Sequence, residues 1–165
     1  MTIDTALSRR IAASLATALV LTVGSGVAHA ATPLDREVRA ALDAGPLGGQ
    51  VSGPNQISWA REGVTMTIAA GKSEPVNFRR CPRLHVCLWQ DRDATGRRIE
   101  FKEYGTYKLS RWSMTGRRGA TSYYNHQCCG ARATLIGPNF RLSLWTWGNI
   151  PQSMNDRATY VKLSR

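Results

Sequence analysis

Histidine and acidic residues are the scarce groups in this chain. Its 165 residues include 3 His and 11 Asp plus Glu, against 22 Lys plus Arg. It contains no Gly-x-Ser-x-Gly elbow, no His-Glu-x-x-His pair and no Gly-rich phosphate loop, which removes the commonest nucleophilic, zinc-dependent and nucleotide-dependent chemistries. Asp91 with Asp93, or Glu100 with Glu103, are the carboxylate pairs closest to what glycoside hydrolysis needs. The first pair flanks a turn beside Arg92, an ordinary solvated composition. An enzyme is therefore not expected, and no cofactor is called for. Past residue 30 no apolar run approaches the ~20 residues of a membrane-spanning helix, so membrane insertion is not expected either.

The first thirty residues read as a signal peptide. Arg9 and Arg10 give a positive start, Ile11 to Val23 an apolar stretch, and Ala28-His29-Ala30 a small-x-small cleavage site. The apolar stretch, at about thirteen residues, is too short to span a bilayer. The expectation is a secreted, extracellular protein beginning at Ala31. Losing Asp4, Arg9 and Arg10 takes the formal charge from +11 to +10. Such a surface attracts anionic partners, cell-wall polymers among them. Arg79-Arg80, Arg97-Arg98 and Arg117-Arg118 are scattered doublets, whereas a nucleic-acid footprint clusters on one face. Nucleic acid is not an expected partner.

Cys81, Cys87, Cys128 and Cys129 make an even count in an exported chain, and an oxidising compartment favours two disulfides. Joining adjacent Cys128 to Cys129 departs from preferred disulfide geometry. The expectation is that these two reach separately to Cys81 and Cys87. A zinc site using His85 and His126 is conceivable on ligand type, but export argues for disulfides.

Along the chain, Thr32-Pro33-Leu34-Asp35 opens a short helix. Thr32 serves as cap, Pro33 as first helical residue, and Asp35 and Glu37 complement the dipole. Leu34, Val38, Ala41 and Leu42 share a face, and Gly45-Pro46 ends the helix. Ile57 and Trp59, then Val64, Met66 and Ile68, alternate with polar residues across a turn at Ala60–Gly63, the pattern of a half-buried hairpin. Gly71 to Arg80 reads as a linker. This arm, residues 31–80, is expected to pack without chemistry of its own.

From Val86 on, a degenerate repeat appears. Trp89-Gln90-Asp91-Arg92-Asp93-Ala94-Thr95-Gly96 leads to Ala120-Thr121-Ser122-Tyr123, and Leu135 to Phe140 leads to Asn155-Asp156-Arg157-Ala158-Thr159-Tyr160. Each copy reads as strand, tight turn, strand and a small-polar corner into a last strand. Phe140 to Trp145 is expected to form one strand. Trp145 and Trp147 share a face if both lie in one strand. Rings of that size in so small a domain are expected in the core or between the keys, a carbohydrate-stacking platform being the sharper alternative.

Cys81-Pro82-x-x-x-Val86-Cys87-Leu88-Trp89, Gly96-Arg97-Arg98-x-x-Phe101 and Asn155-Asp156-Arg157-Ala158-Thr159 resemble secreted actinobacterial inhibitors of the Streptomyces metalloproteinase inhibitor type. The resemblance implies a mainly β fold, two Greek keys forming a βγ-crystallin-like sandwich over 81–165, preceded by the short helix and hairpin arm. It implies a monomeric protease inhibitor whose partner is an extracellular protease. The alternative is a basic envelope protein that binds anionic cell-wall polymers. Two loops are expected to meet the protease: Gly116-Arg117-Arg118-Gly119, and the segment around Cys128-Cys129 that includes Gln127 and Gly130. The calcium motif of βγ-crystallins is degenerate. Asn155, Asp156 and Thr159 keep their places, Tyr160 replaces a small hydroxyl, and Arg117-Arg118 stand where the first key needs oxygen ligands. No metal is expected.

Overall fold

Thr32 starts helix α1 (Pro33–Ala44) through a reciprocal cap. Its hydroxyl accepts the Asp35 N–H at 3.1 Å, and the Asp35 carboxylate accepts the Thr32 N–H at 2.8 Å. Val38 and Ala41 are buried with Leu34 and Leu42 packed beside them, the face the sequence spacing indicates. These come from a computed structural model that describes residues 30–69 and 80–165. The expected signal peptide and nearly all of the expected linker lie outside the described residues. Ala31–Arg165 forms a compact unit.

Three strands follow α1: β1 (Gln50–Gly53), β2 (Gln56–Trp59) and β3 (Val64–Thr67). The first key then supplies β4 (Val86–Trp89), β5 (Arg98–Phe101), β6 (Gly105–Lys108) and β7 (Ser122–Asn125). The second supplies β8 (Arg132–Ile136), β9 (Phe140–Leu142), β10 (Thr146–Asn149) and β11 (Tyr160–Ser164). They form a seven-stranded sheet, β1-β2-β3-β5-β4-β7-β10, and a four-stranded sheet, β6-β11-β8-β9. Each key gives its third strand to the other key's sheet, so neither sheet is complete without both repeats. This is the mainly β, two-key sandwich the repeat implies.

The arm joins that sheet. β3 pairs antiparallel with β5, setting Val64 opposite Phe101 and Met66 opposite Ile99. Alternation carries straight across the junction, so Ile57, Trp59, Val64 and Met66 share the inner face with Val86, Leu88, Ile99 and Phe101, none more than 2 % exposed. Trp112 closes the centre, its ring 5.9 Å from Phe101 and 6.3 Å from Trp59, both edge-on. The Trp59 indole N–H donates to the Pro46 carbonyl at 2.8 Å, tying the chain after α1 to the core.

Phe140–Trp145 is not one strand. β9 stops at Leu142, and Trp145 takes a left-handed backbone (φ 56°) before β10 begins. The break turns both indoles outward at the sheet edge, 50 % exposed for Trp145 and 56 % for Trp147, in place of the core position expected for them.

Candidate functional site

The two loops singled out from sequence lie at opposite ends of β7. That strand has 4 residues, about 13 Å at ~3.3 Å per residue. Before it, Gly116–Arg118 forms a single 3-10 turn, closed by Arg118 N–H to Thr115 O at 3.2 Å and Gly119 N–H to Gly116 O at 2.7 Å. Arg117 and Arg118 are exposed on it. Gly119 is buried, and a Cβ there would lie 2.8 Å from the Asp156 Cα, so the turn is pressed onto the second key.

After β7 the chain turns at Cys128–Ala131, with Cys129 (φ 64°) and Gly130 (φ 81°) both left-handed and exposed. Gln127 is almost wholly buried. It is 3 % exposed, its N–H donates to the Asn125 side-chain oxygen at 3.2 Å, and its own Oε1 is buried without a partner. Gln127 thus lies largely beneath the turn.

The disulfide pairing also differs from expectation. Cys81 bonds Cys87, with Cα atoms 5.9 Å apart, and Cys128 bonds Cys129. The register separates Cys87 from Cys128. Cys87 sits opposite Tyr124, and Cys128 is four residues further along, about 13 Å in extended chain, beyond disulfide reach. Cys81 instead folds over Cys87, and the two pack with Trp89 and Ala94 as a second buried cluster.

That fold-over makes a feature the sequence reading passed by. Pro82, Arg83 and Leu84 stand exposed between two buried cysteines. Five hydrogen bonds hold this stapled loop. The Leu84 N–H donates to His126 O at 3.0 Å, His126 N–H to His85 O at 2.9 Å, and His85 N–H to Pro82 O at 3.3 Å. The rings of His85 and His126 bond the carbonyls of Arg83 and Cys81 at 2.7 and 2.8 Å. His126 in turn stacks on Tyr124 at 4.8 Å and meets the Trp145 ring edge-on at 5.0 Å. The missed signal was the pair Cys81-Pro82 and Val86-Cys87, which marks a closed loop as well as a family.

Exposed apolar side chains gather at this end. Six large ones are exposed among the described residues: Leu47, Val51, Leu84, Tyr104, Trp145 and Trp147. Leu84 and Tyr104 line one groove of about 190 Å³ with Lys102, Glu103, Gln127 and Cys128. Trp145 joins through His126, and Trp147 lies opposite Tyr124 in the sheet. Four of the six thus rim this end of the sheet, with His126 and Tyr124 among them.

The degenerate calcium motif is assembled but short of donors. Thr159 is occupied locally, its hydroxyl donating to Ile136 O at 3.2 Å. Asn155 Oδ1 and Asp156 Oδ1 are buried without partners. Burial, and then the charge of Asp91, raise the Asp156 carboxyl above its usual range, while bonds from Gly119 and Thr121 pull the other way. Calcium takes about 6–8 oxygens. The two unpartnered oxygens of Asn155 and Asp156 fall short of that number. Among the described residues no group of three or more His, Cys, Asp or Glu is placed to hold a metal, and no helix is long and apolar enough to cross a membrane.

Residues 75–161 match the Peptidase inhibitor family I36. The chain belongs to that family. The match covers the stapled loop, the apolar rim and both keys up to the start of β11, so this protein is a peptidase inhibitor and not an enzyme, with a protease as its implied partner. No curated protein and no solved structure matches the chain.

Proposed function

We propose that the protein is secreted and inhibits an extracellular metalloproteinase. The carrying observation is the apolar rim of Leu84, Tyr104, Trp145 and Trp147 around two cystine turns. A metalloproteinase of the thermolysin type selects apolar side chains, whereas a trypsin-like enzyme needs a cationic one. Arg83 shares the stapled loop with Leu84, and the other cationic candidates, Arg117 and Arg118, sit on a hydrogen-bonded 3-10 turn. A protease must open such a turn before it can cut, and cleavage tracks the opened population. The stapled end costs little ordering on binding, because bonds and disulfides already fix it.

Titration of the exported protein against thermolysin-like, trypsin-like and subtilisin-like enzymes tests this. The expected result is stoichiometric inhibition of the first class. Full activity of all three at a large excess of the protein removes the proposal. The alternative, charge-driven binding of anionic wall polymer, then gains ground. It predicts retention on such a polymer that weakens steeply with salt.

A further inference from the structure

We infer that the Cys81–Cys87 loop is the element that enters the protease cleft, with Leu84 as its anchor; this rests on the inhibitor reading above. Three observations converge on Leu84. It is 49 % exposed although apolar. It holds a left-handed backbone, φ 68°, a conformation unfavourable for a side chain with a Cβ. And it sits at the crest of a loop whose two ends are buried and cross-linked, Cys81 at 1 % and Cys87 at 0 % exposure. A leucine left half in water, on a backbone that suits glycine, is unfavourable on both counts. Such outliers gather where a surface is shaped for a partner.

The neighbours favour the same reading. Tyr104 shares the groove beside Leu84, and Trp145 is braced by His126, whose carbonyl holds the Leu84 N–H. Leu84 is thus a protruding apolar tip with aromatic shoulders, the arrangement of a buried hot spot with a water-excluding surround. The Leu84 N–H is already bonded to His126, so the loop resists being drawn out as an extended strand. If a bond between Cys81 and Cys87 is hydrolysed, the disulfide keeps both new ends together, and the inhibitor stays seated. The Gly116–Gly119 turn lacks this tether, and the Cys128–Ala131 turn offers at its tip only Cys129 and Gly130.

The test compares inhibition constants for the exported wild type, Leu84→Gly, Leu84→Glu and Arg118→Ala against a thermolysin-like metalloproteinase, with melting temperatures alongside. Both Leu84 variants should weaken inhibition by at least about 30-fold, the scale of a hot-spot truncation. Leu84→Gly should melt no lower than wild type, since glycine accepts the left-handed backbone. Arg118→Ala should inhibit normally. Prolonged incubation should place any nick between Cys81 and Cys87, seen as a gain of one water with the pieces separating only on reduction. Normal inhibition by both Leu84 variants, or nicking confined to the other turns, overturns this inference and leaves the inhibitor reading intact. Failure of the wild type to inhibit removes both.

Discussion

Replacing Ile57 with alanine should lower the stability of the whole inhibitor, not of its N-terminal arm alone. Ile57 is 0 % exposed and lies in an inward row that runs from β2 to β3, β5 and β4 through Met66, Ile99 and Leu88. The substitution deletes three carbon groups, about 2.4 kcal/mol of transfer free energy at ~0.8 kcal/mol each. A cavity term adds to this, because α1 and β3 are held by other contacts and cannot close the gap; the expected total is about 3 kcal/mol, within the ~2–5 kcal/mol seen for such changes. With a urea slope of roughly 2 kcal/mol per molar, the midpoint should fall by about 1.5 M. Unfolding should be followed by tryptophan fluorescence and far-ultraviolet circular dichroism. Trp59 belongs to the arm, whereas Trp89, Trp112, Trp145 and Trp147 belong to the keys, so a shared shift in both signals reports one cooperative unit. A biphasic curve in which only a minor early transition moves would refute the reasoning, since it would show the β3–β5 junction to be too weak to couple arm and keys.

Three further outcomes are expected. Asp156 has its carboxyl raised above the ordinary 3.8 by burial and then by Asp91, so its proton stabilises the fold at low pH and that contribution is lost as pH rises through the folded value. Asp156→Asn should therefore gain on wild type across a window opening at the ordinary carboxyl value and closing above the raised one; a melting-temperature difference that stays flat over that window contradicts the assignment. Peptide mapping without reduction should recover Cys81 linked to Cys87, and a fragment joining either to Cys128 or Cys129 would restore the crossed pairing. Calorimetry should find calcium affinity no tighter than about millimolar, tightening in the double variant Arg117→Asn, Arg118→Asp; micromolar affinity in the unchanged protein goes against the donor count.

Much of the architecture was legible because local signals agreed with one another. Thr32, Pro33 and Gly45 mark both ends of α1, and Ile57 to Ile68 alternate strictly, so helix and hairpin emerge where propensity and period coincide. The repeat also carried the sandwich. What it did not carry was the partner of β3. Its Val64 and Met66 say that one face is buried, but nothing local says against which edge, and pairing with β5 is a long-range choice. The strand after Phe140 was misjudged for a related reason. A left-handed Trp145 is a backbone state that residue preference argues against, so a continuous apolar run hid the break that sends both indoles outward.

The candidate site was least legible where it matters most. Gly116-Arg117-Arg118-Gly119 draws attention because charge and glycine are conspicuous in a sequence, and what the sequence does not show is that Gly119 packs against Asp156. Leu84 is inconspicuous, one leucine among many, and its meaning depends on three facts no sequence shows: the cysteines on either side bond each other, both are buried, and the backbone between them is left-handed. A closed loop between buried anchors leaves its central side chain nowhere to go but out. An apolar residue there stays half in water, a state that a covering partner would relieve. The same logic reaches Trp145 and Tyr104, each about half exposed. Their nearness to Leu84 turns three separate costs into one surface, and in a peptidase inhibitor the partner able to cover such a surface is the cleft of the enzyme it blocks.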